Sequence, residues 1–461
     1  MPEGRHSQFD VVVIGAGFAG LSAAARLADR GLKVAVFEQA PRLGGRASAF
    51  TDKVTGERVD NGQHVLFGCY HATYAFLRLI GASDLAPLQR RLELPMVDSS
   101  GRVMTLRCPG LPPPWHLLAG LMGWKALSYS ERLAALRVGR VIARARRVGA
   151  DAVVATVPAD QTVDGWLDQL RQPRAVREWL WYPLTLAALN QSAACAAAAP
   201  FVRVVTQLFG PAPEDSAVGL AHVPLDELYA EPARRFIEAH GGIVRLRSAA
   251  RMVLDADGAV VGVGTSDGVV YCRAVISAVA WPAFRGLWDG VVPPAVEVIA
   301  QSASAMESSP IVTVNLWFDG PVMDQQFIGL VDAPIHWVFN KSAILRDQAA
   351  HLAVVTSGAD TLASSDNDAV TRLTLSQLER VLPRVRGRRL LRSVVVREQR
   401  ATFSLAPGGP ARPAAATAVP GFWLAGDWTD TGLPATIEGA VVSGHRAADL
   451  VLSGTSRQLG A

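Results

Sequence analysis

A short apolar run followed by a glycine-rich turn constrains the fold of this chain most. Residues 11–14 are Val-Val-Val-Ile, residues 15–20 are Gly-Ala-Gly-Phe-Ala-Gly, and residues 21–28 are rich in alanine and leucine. The apolar run is typical of a buried parallel strand, and the segment after the turn favours a helix. A second apolar run over residues 33–37 ends at Glu38. This order predicts a strand–turn–helix–strand unit, as in Rossmann-like α/β folds.

The residue types in this unit predict a site for the pyrophosphate of a dinucleotide. Gly15 permits the tight turn, Gly17 lets the backbone approach the phosphates, and Gly20 lets the helix pack on the strand. The helix start offers unpaired N–H groups and a positive dipole end. Glu38 is predicted to accept hydrogen bonds from the adenosine ribose hydroxyls. The predicted cofactor-binding residues of this unit are Gly15, Gly17, Phe18, Ala19, Gly20 and Glu38.

Composition limits the remaining classes of protein. The chain has 461 residues, of which 50% are hydrophobic and 19% charged, which predicts two or three domains and excludes a disordered protein. The cysteines at 69, 108, 195 and 272 are scattered singly, so we predict reduced thiols, no disulfide framework and no metal site. Polar residues interrupt each long apolar stretch and the first residues are polar, so we expect no membrane span, no secretory signal and a cytoplasmic location.

Motifs near both ends of the sequence resemble those of the flavin amine oxidase and phytoene desaturase superfamily. The first is Arg42-Leu43-Gly44-Gly45-Arg46, and the second is Gly426-Asp427 followed by the run over 434–440. The resemblance implies FAD, with Gly44, Gly45 and Arg46 closing over its pyrophosphate and ribityl chain and Asp427 bonding the ribityl chain. It also places the backbone N–H groups of a helix start, at Thr436, Ile437 and Glu438, at the flavin N1/O2 edge. It places the backbone of Ala250 against the adenine, and it includes Gly426, next to Asp427, among the cofactor-binding residues.

The order of the motifs predicts two interleaved domains. A Rossmann-like FAD-binding domain collects residues 8–95, 225–290 and 415–455, and an α+β substrate domain collects residues 96–224 and 291–414. Apolar or alternating runs over 311–318, 336–339, 352–356 and 391–397 predict the strands of a mixed sheet in the second domain, and residues 366–382 predict a helix. Residues 1–7 and 456–461 are predicted to be flexible tails.

Three further stretches resemble one branch of the superfamily, the hydroxysqualene dehydroxylases of bacterial hopanoid biosynthesis. They cover residues 59–68, 183–190 and 397–403, and the run 426–439 agrees with them. The resemblance implies a C30 isoprenoid substrate with an allylic hydroxyl, squalene and water as products, and upstream squalene-pathway enzymes as possible partners. It implies that an acid protonates the leaving hydroxyl and that N5 of reduced FAD delivers hydride to an allylic cation.

The segment Asp60-Asn61-Gly62-Gln63-His64 holds the predicted catalytic residues. In the resembled superfamily this stretch passes close to the isoalloxazine ring, so Gly62 and Gln63 are predicted to contact the cofactor. His64 is the first candidate for the proton donor because histidine titrates near neutral pH, and Asp60 is the second. Both also have structural interpretations, His64 as a flavin or backbone hydrogen-bond partner and Asp60 as a turn residue. Tyr70 and His71 are reserve candidates.

Other functions share the same cofactor motifs. A carotenoid-type desaturase would move hydride from substrate to FAD, and an amine oxidase would need an aromatic cage and a lysine near the flavin. Lys341 is the only lysine in the C-terminal two-thirds of the chain. A lipid-binding escort protein without FAD is a further alternative, which the presence of Glu38, Arg46 and Asp427 disfavours.

A basic, tryptophan-bearing segment over residues 112–147 has two interpretations. Arg137, Arg140, Arg144 and Arg147 share one face of a predicted helix, and apolar residues 134, 138, 141, 142 and 145 share the opposite face. With the apolar loop before it, this pattern is typical of a helix that lies on an anionic membrane. An ordinary core helix with a solvated arginine face has the same pattern. Because the net charge is only +4 and the sequence contains no known nucleic-acid-binding module, we predict no nucleic-acid partner.

Overall fold

The computed structural model describes residues 8–346 and 350–459. The strands in this part are β1 Phe9–Ile14, β2 Val34–Phe37, β3 Ala49–Thr51, β4 Arg58–Asp60, β5 Leu66–Phe67, β6 Glu93–Val97, β7 Val103–Arg107, β8 Val218–Gly219, β9 Ile243–Arg245, β10 Arg251–Leu254, β11 Val260–Thr265, β12 Gly268–Ser277, β13 Ser308–Phe318, β14 Phe327–Leu330, β15 Trp337–Asn340, β16 Ala350–Ser357, β17 Leu390–Phe403 and β18 Phe422–Leu424. They form two seven-stranded sheets and two short two-stranded ones.

The helices connect these strands and cover the sheets. They are α1 Phe18–Asp29, α2 His71–Leu79, α3 Trp115–Gly123, α4 Tyr129–Val148, α5 Ala150–Val154, α6 Val163–Gln169, α7 Arg174–Val176, α8 Tyr182–Leu189, α9 Ala198–Leu208, α10 Glu231–Ala239, α11 Pro294–Ala305, α12 Lys341–Leu345, α13 Asp360–Ser364, α14 Asn367–Val381 and α15 Ile437–Leu459. None of the helices within residues 8–346 and 350–459 is long and apolar enough to cross a membrane.

The first seven-stranded sheet is the predicted Rossmann-like sheet. Strands β9, β2, β1, β12 and β18 are parallel in that spatial order, and β10 and β11 extend β12 as antiparallel strands. Val11 and Val13 of β1 pack with α1, α10 and α15, whereas Val12 and Ile14 pack with α11 and the 3-10 turn Trp281–Leu287. Burial on both faces explains why β1 is apolar at four consecutive positions.

The second sheet is mixed, with the order β17-β13-β16-β15-β14-β6-β7, and only the β14–β6 pair is parallel. The strands predicted over 311–318, 352–356 and 391–397 lie within β13, β16 and β17, and the one predicted over 336–339 overlaps β15, which begins one residue later. The helix predicted over 366–382 is α14. A helical layer from α3 to α9 packs around an apolar cluster that includes Trp124, Trp166, Trp181 and Phe201. This second sheet and its helical layer form the other wall of the cavity described below.

Some details differ from the sequence-based predictions. Ala250, predicted to contact the adenine through its backbone, lies in the break between β9 and β10 and not in a strand. Helix α11 falls in the predicted substrate domain, although its Val296 and Ala300 pack on the core of the first sheet. Residues 456–459, predicted as part of a tail, continue α15, whereas the predicted tail 1–7 and residues 460–461 lie outside the described residues. The domain boundaries as a whole stay a prediction.

Candidate active site

The glycine turn lies between the end of β1 and the start of α1, at the edge of a cavity of about 820 Å³. Gly15 has φ +106°, and a Cβ there would lie 2.9 Å from the carbonyl oxygen of Ala278. Gly17 is the N-cap of α1 without a side-chain cap, so the first N–H groups of α1 stay available to an anion. A Cβ on Gly20 would lie 1.9 Å from the carbonyl oxygen of Gly15, so Gly20 serves packing and does not line the cavity.

Glu38 follows β2 and holds the glycine turn in place. One carboxylate oxygen accepts a hydrogen bond from the Ala16 N–H at 2.8 Å, and the other accepts one from the Ala40 N–H at 2.8 Å. Each carboxylate oxygen has a further lone pair, and Glu38 lines the cavity. Its position therefore fits an acceptor for ribose hydroxyls next to the turn. Phe18, Ala19 and Ala250 line the same cavity.

Arg46 ties three distant segments together beside the cavity. Gly44 and Gly45, which precede it, have φ +100° and +56°, and both line the cavity. Arg46 donates to the Ala401 carbonyl oxygen at 2.8 Å and to the Asp427 carboxylate at 2.5 Å. Burial lowers the pKa of the Arg46 guanidinium. The negative charge of Asp427 and its hydrogen bond with Arg46 outweigh this effect, so the pKa is raised overall. Arg46 is therefore a permanent positive charge at the cavity wall.

The C-terminal motif supplies the facing wall. Gly426 has φ +134° and donates its N–H to the Ser443 hydroxyl at 2.7 Å, which fixes the turn before Asp427. Gly426, Asp427, Thr436 and Ile437 all line the cavity. The start of α15 at Ile437 therefore faces the cavity with its positive dipole end.

Glu438 does not line the cavity, contrary to its predicted place at the flavin edge. Its carboxylate accepts hydrogen bonds from the Ala72 and Thr73 N–H groups, each at 2.9 Å, and from the Thr73 hydroxyl at 2.7 Å. Burial raises the pKa of this carboxyl, and the hydrogen bonds from Thr73 and Ala72 oppose the rise. Glu438 thus binds the start of α2 to α15.

The residues of the 60–64 segment differ in whether they line the cavity. Gly62, Gln63 and His64 line the cavity, but Asp60 does not. One Asp60 carboxylate oxygen accepts from the Leu225 N–H at 3.0 Å, and the other from the Lys341 ammonium at 2.9 Å. Lys341 also donates to the Gln63 side-chain oxygen at 2.7 Å. Since both oxygens are bonded to buried donors away from the cavity, Asp60 is a positioning residue and the prediction that it donates a proton is revised.

His64 is held in one orientation by its own loop. Its Nδ1 lies 2.9 Å from the Gly62 carbonyl oxygen. A carbonyl oxygen only accepts, so Nδ1 carries a hydrogen and Nε2 is the atom available to another group. Burial, with the charges of Arg46 and Lys341, lowers the pKa of His64, while the Gly62 bond and Asp60 oppose this. His64 is therefore mostly neutral at neutral pH.

The two reserve candidates occupy different environments. Tyr70 lines the cavity, and burial raises the pKa of its hydroxyl, so it stays protonated. His71 is largely exposed and its Nε2 lies 2.9 Å from the Asp215 carboxylate, outside the cavity. Only Tyr70 of this pair is placed to meet a molecule in the cavity.

Sequence reasoning assigned no role to Glu398 or Asn61, although both line the cavity. Glu398 lies on β17 and accepts a hydrogen bond from the Asn61 side-chain amide at 2.8 Å. Both fall in stretches whose residue pattern resembles the dehydroxylase branch. That pattern was the available signal, but only the fold brings residues 61 and 398 into contact.

The cavity continues from these polar groups into an apolar pocket. The second sheet and its neighbours line this part with large apolar side chains, namely Leu94, Ile311, Phe327, Trp337, Phe339 and Val355. The polar part fits FAD, because the uncapped start of α1, the start of α15 and the Arg46 guanidinium all lie at the wall of one cavity. Within the described residues no group of histidine, cysteine and acidic side chains could hold a metal ion.

Comparison with known proteins identifies the family. Residues 18–452 match the model of the flavin containing amine oxidoreductase family. The chain belongs to that family, and it is an FAD-dependent oxidoreductase with the predicted α/β fold.

Within the family the chain is similar to hydroxysqualene dehydroxylases. The one from Sinorhizobium fredii is 30% identical over 97% of this chain and 99% of that protein. The one from Rhodopseudomonas palustris is 29% identical over 96% of this chain and 98% of that protein. A zeta-carotene desaturase of Zea mays is 25% identical over 96% of this chain and 84% of that protein. The resemblance to the dehydroxylase branch is thereby confirmed.

Solved structures agree at the level of the fold. An oxidoreductase from Methanosarcina mazei superimposes with a TM-score of 0.73 at 17% identity, over 95% of this chain and 100% of that one. Putrescine oxidase bound to putrescine gives a TM-score of 0.67 at 18% identity, over 96% of this chain and 99% of that one.

Proposed function

We propose that this protein reduces hydroxysqualene to squalene and water, a step of squalene and hopanoid biosynthesis. The observation that carries the proposal is the single cavity that joins the FAD-binding residues to an apolar pocket. The full-length similarity to hydroxysqualene dehydroxylases supports this choice of substrate. An apolar pocket of this kind suits a C30 isoprenoid, whose only polar group is the allylic hydroxyl.

The chain's own groups would position the reacting end of the substrate. The allylic C–O bond breaks, the oxygen leaves as water with one added proton, and the carbon takes up hydride. Reduced FAD, when bound, supplies that hydride. The large apolar side chains around Phe327 and Trp337 exclude water, so the charges at the polar end act in a medium of low dielectric constant.

His64 is the proposed proton donor to the leaving hydroxyl. It lines the cavity and its Nε2 is not bound by the Gly62 carbonyl. Its lowered pKa makes the small protonated fraction a stronger acid, which favours transfer to a poor leaving group. The proton then departs with the oxygen as water.

Glu398 is the proposed countercharge for the allylic cation. Its carboxylate lines the cavity, and its charge contributes to the raised pKa of Arg46. The Asn61 amide holds one oxygen, so the negative charge is oriented before the C–O bond breaks.

The second candidate function is desaturation of a carotenoid-like substrate, which the similarity to zeta-carotene desaturases favours. It would use the same cavity with hydride moving in the opposite direction. An amine oxidase would instead require a substrate with an amino group beside the flavin.

Product analysis distinguishes these functions. Photoreduced and oxidised holoenzyme are incubated without oxygen with hydroxysqualene, squalene or phytoene, and the products are identified by mass spectrometry. We expect squalene only from hydroxysqualene and only with reduced enzyme. A dehydrogenated product from phytoene with oxidised enzyme would contradict the proposal and support the desaturase.

A further inference from the structure

Large apolar side chains are exposed on α3, α4 and the loop before them. Leu111 is 44%, Trp115 58%, Tyr129 65% and Leu133 46% exposed. We group these residues with four exposed basic residues of the same segment under the name α3–α4 face, whose members are Leu111, Trp115, Lys125, Tyr129, Leu133, Arg140, Arg144 and Arg147.

The members on α4 occupy one stripe of the helix. At 3.6 residues per turn, positions 129, 133, 140, 144 and 147 fall within a sector of about 60°. The opposite side carries Ala134, Ala135, Val138 and Ala145, all of which are buried. The stripe therefore presents aromatic and aliphatic side chains at the start of α4 and arginines towards its end, on the side away from the core.

The basic residues of this region fall into two groups. Arg132, Arg137 and Arg146 donate to backbone carbonyl oxygens, at 2.6 Å for Met122, Arg171 and Gly210 respectively. Lys125, Arg140, Arg144 and Arg147, in contrast, make no hydrogen bond or ion pair within the described part of the chain.

The segment that carries the face has almost no negative charge of its own. The one acid between residues 111 and 148 is Glu131. Its carboxylate accepts from the Ser128 N–H at 2.7 Å in the capping box of α4. The solvated face of an ordinary core helix commonly pairs opposite charges four residues apart, and none of the four free cations here has such a partner.

Apolar packing connects this region to the cavity. Trp124 and Val138, beneath the face, belong to the same cluster as Trp179. Leu94 and Trp337 pack against that cluster and also line the cavity. One apolar cluster therefore extends from beneath the α3–α4 face to side chains that line the apolar pocket.

We propose that the α3–α4 face docks on an anionic lipid bilayer, with Trp115 and Tyr129 in the headgroup region. Aromatic side chains favour that region, and unpaired lysines and arginines are attracted to anionic headgroups. The protein would then be peripheral at the membrane surface. The bilayer would also be the source of an apolar substrate for the cavity, a consequence that rests on the proposed function.

Vesicle flotation of the FAD-loaded protein tests the docking. The vesicles contain phosphatidylcholine alone or phosphatidylcholine with phosphatidylglycerol, at low and high salt. We expect flotation with the anionic vesicles at low salt and about ten-fold weaker binding for R140E/R144E. W115A should bind several-fold more weakly than the unaltered protein at either salt concentration, because it loses an apolar contact and no charge. Because no turnover is measured, this outcome is independent of the reaction.

Two control variants outside the α3–α4 face test whether the loss of binding is specific to that face. R372E/R380E places the same charge change on the exposed side of α14, and V298A truncates an exposed apolar residue on α11. Both should float like the unaltered protein, and flavin absorbance and thermal unfolding show that every variant is folded. If the unaltered protein stays in solution with anionic vesicles, or if the α14 variant loses as much binding as R140E/R144E, the proposal is wrong.

Discussion

Two neighbouring titratable residues, Asp60 and His64, show why residue type alone does not identify an acid. Both lie in one five-residue segment, and their sequence context favoured both. In the fold, Asp60 pairs with Lys341 away from the cavity, whereas His64 lines the cavity with only Nδ1 engaged. The partner lies 281 positions along the chain, so local sequence could not reveal it.

Replacing His64 tests the proposed proton donor. H64A or H64Q should keep FAD bound and slow squalene formation at least about ten-fold, because one positioned acid typically contributes that much or more. In the unaltered enzyme the single-turnover rate should rise as pH falls towards the lowered pKa of His64, since only the imidazolium can donate. The variants should lose this rise, as measured by rapid quench across pH. H240Q, at an exposed histidine, is the control, and an unchanged rate in H64A would refute the role.

Replacing Glu398 tests the proposed countercharge. E398Q retains the shape and the possible contact with Asn61 but removes the negative charge, so we expect turnover to fall about ten-fold or more with little change in KM. E379Q, at an exposed acid on α14, should behave like the unaltered enzyme. A kcat equal to that of the control would mean that Glu398 carries no electrostatic role.

At the scale of elements, the strand–turn–helix unit was the most predictable part of the molecule. Its apolar run, glycine spacing and terminal acid are all local, and β1, α1 and β2 follow them closely. Asp-Gly pairs at 257–258 and 267–268, which are typical of turns, also lie at the junctions of β10 with β11 and of β11 with β12. In contrast, the pairing of β6 with β14 joins segments more than 200 residues apart, and no local pattern specifies it.

A substitution at Gly17, the N-cap of α1, tests the predicted pyrophosphate site. Only the Gly44 oxygen, at 4.0 Å, lies near a Cβ built there, so a larger side chain would extend into the cavity instead of disrupting the fold. G17V should therefore remain folded but lose most of its FAD, measured as the ratio of flavin to protein absorbance after purification. G139V, at an open position of α4, is the control. Full flavin content in G17V would contradict the placement of the pyrophosphate.

At the scale of the whole molecule, acid should destabilise the fold through buried histidines. Burial, with the charge of Lys341, lowers the pKa of His351 to about 3, and burial lowers that of His336 to about 4. The unfolded chain binds these protons near pH 6.5 and the folded one does not, so stability is full above 6.5 and falls as pH decreases towards these values. For His351 alone the loss is roughly 1.4 kcal/mol for each pH unit.

Urea unfolding at several pH values measures this effect. H351Q replaces a ring that stacks on Trp317 at 4.2 Å and contacts Asn315, so we expect lower stability at neutral pH but a shallower decline with acid. The difference in slope between the two proteins isolates His351 from other titrating groups. If the free energy of unfolding of both proteins decreases equally with acid, His351 does not stay deprotonated in the folded state.

The high apolar content of the chain is now divided among identifiable places. Several buried clusters cover both faces of the first sheet, fill the helical layer and support the second sheet. A further share lines the cavity or is exposed on the α3–α4 face. Composition predicted large cores and no span, but it could not distinguish a core residue from one that faces a ligand, because both are equally apolar in sequence.

We propose that one cavity couples reduced FAD to removal of an allylic hydroxyl. The most direct test of this claim is a single turnover without oxygen, in which hydroxysqualene is added to photoreduced enzyme while flavin absorbance and squalene are followed together. We predict that the flavin reoxidises and that one squalene forms for each flavin. A flavin that stays reduced in the presence of hydroxysqualene, with no squalene formed, would contradict the claim.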